Sequence, residues 1–282
     1  MELTPFSYYD AKLSDKDFQK LSNFIYHQYG IKMPEAKHIM LQSRLQKRLR
    51  ALRIPTFTEY VDYVFSANGH DEIIHMMDVV STNKTDFFRE IQHFEFLLDT
   101  VLPEIFDTNH QNFVKVWSAG CSSGEEPYTL AMVLSEFQQK VRGFDFSILG
   151  SDLSTIVLEK AVQAIYPEDR VQVIPMELKK KYMLRSKDRV KPTVRIAPEL
   201  RRKASFMRLN FMDDVYSAPS GFDIIFCRNV LIYFDRQTQE KVINKLCRHL
   251  RPGGFFFLGH SESVTGINVP LKQIKPTVFR RI

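Results

Sequence analysis

The sequence predicts an α/β fold in which a doubly wound, mainly parallel sheet follows an N-terminal all-helical domain and carries a small inserted β-subdomain. Two patterns support this prediction. From about Phe113, short apolar segments alternate with helical ones, as in FVKVWSAG, FSILGSD, FDIIFCRN and GGFFFLGH, which is typical of a parallel sheet covered by helices. Earlier in the chain, Leu41, Leu45, Leu49 and Leu52 repeat at helical spacing.

These patterns place the helical domain at residues 1–80 and the α/β domain at 81–282, with the insertion at about 170–208. The insertion is predicted because the alternation is interrupted by a segment too long for a simple connection. Its pieces VKPTVRIA and ASFMRL have β-type composition. The last segments, LRPGGFFFLGHSES and KPTVFRRI, are predicted to add strands at one edge of the sheet.

Composition excludes several classes of protein. The chain is 44% hydrophobic and 26% charged, which is ordinary for a folded globular protein. Its sequence holds no run of ~18 apolar residues, and the N-terminus MELTPFSYYDAKLSDKD is too polar for a signal peptide, so we expect a cytoplasmic protein. Cys121, Cys227 and Cys247 are far apart and form no ligand cluster, so we expect reduced cysteines and no metal site. A monomer is the default expectation.

Positive charge is concentrated in two segments. Between Ala36 and Thr58 there are six bases and no acid, and between Arg170 and Arg208 there are thirteen Lys or Arg against three acids. The first segment predicts a helix with a basic face opposite its leucines. This face is either a docking surface for an acidic partner or merely a solvated surface.

The strongest local motif is VWSAGCSSGEEPY, a strand that runs through a glycine-bearing turn into a helix. Such a turn lets a ligand approach the backbone closely, but the GxGxxG fingerprint for a dinucleotide phosphate is missing. Glu125 and Glu126 place negative charge at the helix start, which disfavours a pyrophosphate and suits a ligand with an ammonium and a sulfonium. The motif therefore favours S-adenosylmethionine over NAD, with simple capping of the helix as the alternative.

Two further strand ends carry polar side chains. ILGSD ends in Asp152, which could accept both hydroxyls of a ribose or could act as the N-cap of the next helix. FDIIFCRNVLIYF delivers Arg228, Asn229 and Tyr233 to the same edge of the sheet. The alternative is that Arg228 and Asn229 cap the next helix while Tyr233 packs in the core.

Taken together, four motifs resemble the CheR-type chemotaxis receptor methyltransferases over nearly the whole chain. They are TNKTDFFRE, GCSSGEEPY, FCRNVLIYFD and GGFFFLGHSES, in the family's order. The resemblance implies a Rossmann-like methyltransferase domain with S-adenosylmethionine as cofactor. It also implies that the enzyme esterifies glutamate side chains of methyl-accepting chemotaxis proteins, with S-adenosylhomocysteine as product.

The resemblance further implies roles for individual residues. Those expected at the cofactor are Asn83, Thr85, Arg89, Glu125, Asp152, Asn210, Phe211, Arg228 and Asn229. Arg89 and Tyr233 are the expected catalytic residues. The family often has Leu at the position of Phe211. The resemblance therefore does not specify a contact between the ring of Phe211 and adenine. Phe87 and Phe88 are expected to pack.

A carboxylate is already ionised at neutral pH, so its attack on the sulfonium methyl needs no general base. Catalysis should come from alignment and from the exclusion of water. Arg89 would pair with the incoming carboxylate or with the carboxylate of the cofactor, and Tyr233 would orient the reacting groups. The acidic helical bundle of a receptor would dock on the basic helix Lys37–Arg53, with the 170–208 insertion as a second candidate surface.

Three other functional interpretations fit the sequence less well. The basic insertion could indicate a nucleic-acid methyltransferase, but neither a (D/N)PP(Y/F)-like motif nor a Pro-Cys nucleophile is present, so no nucleic acid is expected. A catalytically silent binding module is disfavoured by the complete set of site residues. A dehydrogenase is the weakest alternative because the glycine fingerprint fails.

Overall fold

The computed structural model describes residues 11–109 and 112–282. The first residues of the polar N-terminus, on which the prediction about a signal peptide partly rests, lie outside this range. The described residues form two compact units. One contains the chain up to Thr82 together with Tyr233–Asp235, and the other contains Asn83–Ile232 and Arg236–Ile282. No helix in the described part of the chain is long and apolar enough to span a membrane.

The first unit is all-helical, as predicted. Its helices are α1 (Asp15–Tyr29), α2 (His38–Leu52), α3 (Phe57–Val64) and α4 (His70–Val80). The leucine repeat defines the inner face of α2, since Leu41, Leu45 and Leu49 are completely buried. Thr56 caps α3 by accepting a hydrogen bond from the backbone of Glu59, which explains why a new helix begins just after Pro55.

Two basic residues of α2 form hydrogen bonds and an ion pair within this unit instead of projecting freely from its surface. Arg48 donates to both carboxylate oxygens of Glu72 at 2.8 and 2.6 Å, and Glu72 is buried. Arg44 donates to the carbonyls of Val80 and Ser81 and to the hydroxyl of Thr82. The basic face predicted for this helix is therefore narrower than its sequence suggests.

The second unit is built on a seven-stranded sheet whose strand order is β6-β2-β1-β7-β8-β10-β9. These strands are β1 (Phe113–Ala119), β2 (Asp145–Asp152), β6 (Ala204–Arg208), β7 (Phe222–Cys227), β8 (Leu250–Leu258), β9 (Leu271–Lys275) and β10 (Val278–Arg281). The first five pair in parallel, and β10 pairs antiparallel with both β8 and β9. Every residue of β7 is buried, as expected for a central parallel strand. The predicted α/β sheet is confirmed.

Helices connect the parallel strands. The helical elements of this unit are α5 (Gln92–Phe96), a π-helical turn (Leu97–Val101), α6 (Leu102–Asn109), α7 (Glu125–Lys140), α8 (Thr155–Gln163), α9 (Met176–Tyr182), α10 (Pro198–Arg201) and α11 (Arg236–His249). The crossovers β1-α7-β2 and β7-α11-β8 return the chain to the same edge of the sheet each time. The carboxyl ends of β1, β2 and β7 therefore meet at one edge, where ligands bind in such folds.

The inserted β-subdomain is a separate antiparallel sheet of three strands, β3 (Ile165–Pro167), β4 (Met183–Arg185) and β5 (Thr193–Ile196), in the order β3-β5-β4. The sequence ASFMRL was expected to belong to this insertion. Its residues instead form β6, the edge strand of the large sheet, paired with β2. A short strand at a sheet edge takes its identity from a distant partner, which local composition does not reveal.

Candidate active site

The turn after β1 is shaped by residues that adopt left-handed backbone conformations. Gly120, Ser122 and Gly124 have φ values of 85°, 49° and 94°. A Cβ at Gly120 would lie 2.3 Å from a methyl group of Val230, so only glycine fits there. The backbone N–H groups of Gly120 and Cys121 both donate to the carbonyl of Ser151, which ties the turn to the end of β2.

Asp152 lies at the carboxyl end of β2 beside this turn. Its Oδ2 accepts a 2.8 Å hydrogen bond from the backbone N–H of Ser122, and its Oδ1 accepts a 3.0 Å bond from Ser154. The N-cap of α8 is Ser154, which accepts from Val157, so Asp152 is not the helix cap that was the alternative interpretation. Each carboxylate oxygen can accept a second hydrogen bond.

Glu125, the first residue of α7, is a buried carboxylate with two partners. Its Oε2 accepts a 2.7 Å hydrogen bond from the Ser123 hydroxyl, and its Oε1 lies 3.3 Å from the Arg170 guanidinium. Burial raises the pKa of Glu125 above its usual value, and the Ser123 and Arg170 contacts only partly oppose this effect. A cationic group of a ligand would be favoured next to this carboxylate.

The segment Asn83–Glu90 lies over the β1 turn and is fixed there by its backbone. The Ser122 hydroxyl donates to the carbonyl of Asn83 at 3.0 Å, and Arg170 donates to the carbonyl of Thr85. The backbone N–H of Phe88 donates to the Thr129 hydroxyl of α7. The segment therefore has several fixed points on the turn and on α7, although its own sequence is irregular.

Packing and backbone strain add to this anchoring. Phe87 is buried and its ring meets Tyr166 edge-on at 4.9 Å. Phe88 and Glu90 have φ values of 53° and 57°, which non-glycine residues adopt only where the surroundings impose them. Arg89 lies between these two strained residues, so the direction of its side chain is set by the fold.

Arg228, at the end of β7, is the centre of a buried charge cluster. Its Nε donates to Glu126 at 2.7 Å, and its two terminal nitrogens contact His93 Nδ1 at 3.0 Å and the carbonyl of Arg89 at 2.8 Å. It also lies 3.6 Å from Glu90. The guanidinium thus joins α7 to the Asn83–Glu90 segment.

His93 is neutral in this cluster. Because Arg228 donates to Nδ1, the proton of the ring is on Nε2, which donates to the hydroxyl of Thr277 at 2.8 Å. Burial and then the Arg228 charge lower the pKa of His93 to about 4. Burial acts to raise the pKa of Glu90, but Arg228 and the remaining contacts outweigh it, so the net pKa of Glu90 is lowered.

Glu90, His93 and His260 lie close enough together to suggest a metal site. Both ring nitrogens of His93 already have hydrogen-bond partners. The guanidinium of Arg228 lies beside both Glu90 and His93, where a metal ion bound by these two residues would have to lie. A cation bound to His93 Nδ1 and Glu90 would have to replace the contacts that Arg228 makes with these two residues. The cluster is therefore better explained as a charge-compensated anchor than as a metal site.

Arg89 differs sharply from Arg228. Its guanidinium is partly exposed, and its side chain makes one hydrogen bond, to the carbonyl of Lys84 at 3.1 Å. No carboxylate of residues 11–109 or 112–282 lies within ion-pair distance of it. Arg89 thus presents an uncompensated positive charge at the carboxyl edge of the sheet.

Asn229 follows Arg228 with a φ of 61°, and a single carboxylate holds this turn. Glu262 accepts hydrogen bonds from the backbone N–H groups of Asn229, Val230, Leu231 and Gly259 at 2.7–2.9 Å. Glu262 is buried, and burial raises its pKa although these donors oppose the shift. Its position in the late GHSES motif gave no sign of this role.

The remaining predicted residues are placed differently. Asn210 and Phe211 follow β6, whose last residue Arg208 is in register with Asp152, and Leu209 donates to the carbonyl of Asp152. They are therefore close to the ribose candidate along the same edge. Tyr233 belongs to the compact unit that contains the N-terminal helices, where its carbonyl accepts a hydrogen bond from Lys32.

Four residues of this site were not singled out for these roles from the sequence, namely Glu126, His93, Arg170 and Glu262. Glu126 was noted only as a charge at a helix start, and Arg170 only as the first base of the insertion. Glu126 is 102 residues from Arg228, His93 is 135 from Arg228, Arg170 is 45 from Glu125, and Glu262 is 33 from Asn229. Pairings of that kind are visible only in the folded molecule.

The donor and acceptor set fits the cofactor that the motifs suggested. Asp152 offers a carboxylate at the end of β2 for ribose hydroxyls, and Glu125 offers a buried anion for an ammonium group. The glycines of the turn between them allow close packing against Val230, Ala161 and Tyr166, so the close approach that the sequence suggested is made by the protein's own side chains. The amide of Asn210 and the aromatic ring of Phe211, which suit an adenine, come just after β6 in the chain.

Comparison with known proteins supports the same conclusion. The family model described as CheR methyltransferase, all-alpha domain, matches residues 16–81, and the one described as CheR methyltransferase, SAM binding domain, matches residues 83–280. The chemotaxis protein methyltransferase of Borreliella burgdorferi is 37% identical over 276 residues, which are 96% of this chain and 96% of that protein.

Other bacteria have similar proteins. Chemotaxis protein methyltransferase 2 of Pseudomonas aeruginosa is 35% identical and covers 94% of this chain and 92% of its own length. The chemotaxis protein methyltransferase of Escherichia coli is 36% identical and covers 89% and 85%. The resemblance drawn from the four motifs and the prediction of S-adenosylmethionine as cofactor are confirmed. The chain belongs to the CheR family of S-adenosylmethionine-dependent chemotaxis methyltransferases.

Proposed function

We propose that this enzyme transfers a methyl group to glutamate side-chain carboxylates of methyl-accepting chemotaxis receptors, giving glutamate γ-methyl esters. The relatives are named for chemotaxis, and a receptor whose cytoplasmic helical bundle is acidic is the substrate that fits a cationic site. The observation that carries the proposal is the guanidinium of Arg89, which has no ion-pair partner among the described residues, on a backbone anchored at Phe88 by Thr129 and at its own carbonyl by Arg228. Such a group is suited to bind a carboxylate.

The cofactor, when bound, supplies an activated methyl group and leaves as S-adenosylhomocysteine. Asp152 would accept hydrogen bonds from its ribose, and Glu125 would bind its amino group. Asn210 and Phe211 would flank the adenine. Asn83 and Thr85 would contact the cofactor from the segment over the turn, where Ser122 and Arg170 fix their backbone. Asn229 would contact it from the turn after β7.

Arg228 would act on the cofactor site mainly as a positioning residue. Its guanidinium is engaged by Glu126, His93 and the carbonyl of Arg89. Direct contact with the cofactor was the expectation from the family motif. The contacts favour a role in which Arg228 fixes the backbone of Arg89 relative to α7.

The methyl acceptor needs alignment rather than activation. A glutamate carboxylate is ionised at neutral pH, so no side chain has to remove a proton before attack. Arg89 would hold this carboxylate, or the carboxylate of the cofactor, by charge-assisted hydrogen bonds. Tyr233 remains a proposed catalytic residue that would orient the reacting groups through its hydroxyl. Holding reactants in this way can contribute ~7–11 kcal/mol to catalysis.

The receptor would dock on the outer face of α2. The bases of this helix region whose side chains are exposed are Lys47, Arg50 and Arg53, whereas Arg44 and Arg48 are engaged within the unit. The docking role predicted for the whole helix Lys37–Arg53 is therefore proposed only for these exposed residues, with the basic insertion as a second surface. Exposed charges of this kind act at a distance and are screened by salt.

The experiment is transfer of labelled methyl from S-adenosylmethionine to membranes that contain chemoreceptors, followed by treatment with alkali. A carboxyl methyl ester releases volatile label in alkali, and Arg89→Ala should abolish its formation. Arg142→Ala, which removes an exposed arginine between α7 and β2 and outside both proposed docking surfaces, is the matched control. Label that resists alkali would contradict ester formation and point to N- or C-methylation.

A further inference from the structure

A second cavity of the α/β unit lies away from the cofactor edge. Its volume is about 440 Å³, within the range of small-molecule sites. It is bounded by α7, α8, α10 and β6. The residues that line it are Tyr128, Val162, Pro198, Arg201, Arg202, Ala204, Ser205 and Phe206.

Two neighbouring arginines of this cavity lack anionic partners. Within residues 11–109 and 112–282, neither Arg201 nor Arg202 forms an ion pair, and neither guanidinium makes a hydrogen bond. The Nε of Arg201 is buried with no hydrogen-bond partner. A buried donor without a partner is costly, so a group that accepts a hydrogen bond is favoured beside this atom.

The rest of the lining is apolar and aromatic. The rings of Tyr128 and Phe206 have centroids 5.9 Å apart, and Val162 and Pro198 complete the wall. The hydroxyl of Tyr128 donates to the carbonyl of Ala161 and the residue is buried, so the partly exposed ring of Phe206 is the aromatic surface that faces the cavity. A ligand with an anionic end and a flat apolar end would use both parts of the cavity.

The cavity is separate from the site that holds the cofactor. It borders Ala204, Ser205 and Phe206, which are in register with Ile148, Leu149 and Gly150 in the middle of β2. Asp152, by contrast, is in register with Arg208 at the strand end. Phe206 packs against Gly150, where a Cβ would lie 2.7 Å from its ring, so the two sites are separated by side chains of the sheet.

We propose that this cavity binds a small phosphate monoester that carries an aromatic ring, the chemical class of a nucleoside monophosphate. The guanidinium groups of Arg201 and Arg202, which line one cavity, match phosphate oxygens in charge and in hydrogen-bonding capacity. The apolar wall formed by Phe206, Val162 and Pro198 receives the ring.

The test is calorimetric titration of the full chain with adenosine 5′-monophosphate, in the presence of saturating S-adenosylhomocysteine so that the cofactor site is filled. Adenosine is titrated in parallel. The monophosphate should bind, and adenosine should bind about tenfold or more weakly because it lacks the charged hydrogen bonds. Equal binding of the two compounds, or no binding of the monophosphate at millimolar concentration, would overturn the proposal.

Variants identify the site. Arg201→Gln/Arg202→Gln should weaken the monophosphate about tenfold or more, whereas Arg189→Gln/Lys191→Gln, with the same change in charge on the exposed insertion, should leave it unchanged. Because Arg201 is partly buried, Arg202→Glu at an exposed position provides a variant that preserves the fold and should also weaken binding. Unaltered affinity in Arg202→Glu and in the double variant would place the ligand elsewhere and refute the assignment.

Discussion

The charged side chains at the cofactor edge differ in burial and pairing from those of the 170–208 segment. Arg228, Glu90 and Glu126 are largely buried and joined to one another, whereas most bases of the 170–208 segment are exposed. Buried charges must be paired, so they fix distant segments relative to one another. Exposed charges cost little to leave unpaired and remain available to partners. Burial, rather than the number of charges, therefore separates positioning from recognition.

The largest effect is expected from Arg228→Met. This change leaves Glu126 and Glu90 buried without their cation, so the free energy of unfolding should fall by about 3–5 kcal/mol. Activity should be lost as well, because the backbone of Arg89 loses its anchor. Urea unfolding and methyl transfer measure the two effects. In Arg228→Met/Glu126→Gln, part of the stability should return without activity; unchanged stability in the single variant would refute the positioning role.

Arg89→Ala should separate activity from stability. Removal of one group that binds developing or incoming charge typically lowers kcat about 10²–10³-fold. The free energy of unfolding should change by less than about 0.5 kcal/mol, since the side chain makes one exposed hydrogen bond. Arg89→Lys, which keeps the charge but not the planar fork, should retain partial activity. A large loss of stability in Arg89→Ala would show that the two arginines do not differ as described.

The neutral state of His93 predicts a dependence of stability on pH. Its pKa is about 4 in the folded protein against an ordinary value of 6.5, so the unfolded chain binds more protons between these values. Stability should therefore decrease as the pH falls from 6.5 to 4, by at most about 3 kcal/mol from this residue, and should be insensitive to His93 above pH 6.5.

Urea unfolding across this pH range, compared between wild type and His93→Gln, measures the contribution of His93. The variant should show a shallower dependence on pH, while His70→Gln at an exposed position should follow the wild type. Parallel curves for wild type and His93→Gln would mean that His93 is protonated in the fold, which would be incompatible with donation from Arg228.

The smallest effect concerns the exposed face of α2. Lys47→Glu/Arg50→Glu should slow receptor methylation about two- to fivefold at low ionic strength, and the difference from wild type should shrink as salt is added. Lys12→Glu/Lys16→Glu, with the same change in charge at exposed positions at the start of the first unit, is the matched control. If both variants behave alike at every salt concentration, only net charge matters and the docking role fails.

The sequence predicted the features that depend on local pattern. The leucine repeat defined the inner face of α2, and the glycine turn and Asp152 were correctly placed at strand ends because parallel strands share one carboxyl edge. It did not predict that ASFMRL joins the large sheet, since an edge strand depends on a partner more than fifty residues away.

The contacts of the charged residues were equally hidden. Arg44 and Arg48 looked like members of a surface face, yet Arg48 pairs with buried Glu72, 24 residues away. Arg228 looked like a residue that contacts the cofactor, yet its partners are 102–139 residues away along the chain. Helical periodicity shows which side of a helix is apolar, but not which charged side chains find partners from other elements.

The most direct test of the account is a crystal structure of the enzyme with S-adenosylhomocysteine bound. It should show the Asp152 carboxylate within hydrogen-bond distance of the ribose hydroxyls and Glu125 near the amino group. Arg228 should still contact Glu126, His93 and the carbonyl of Arg89. If Arg228 instead leaves these partners to bind the ligand, it is not a positioning residue. If the ligand lies away from Asp152, this carboxylate does not bind the ribose. Either result would contradict the roles proposed for these residues.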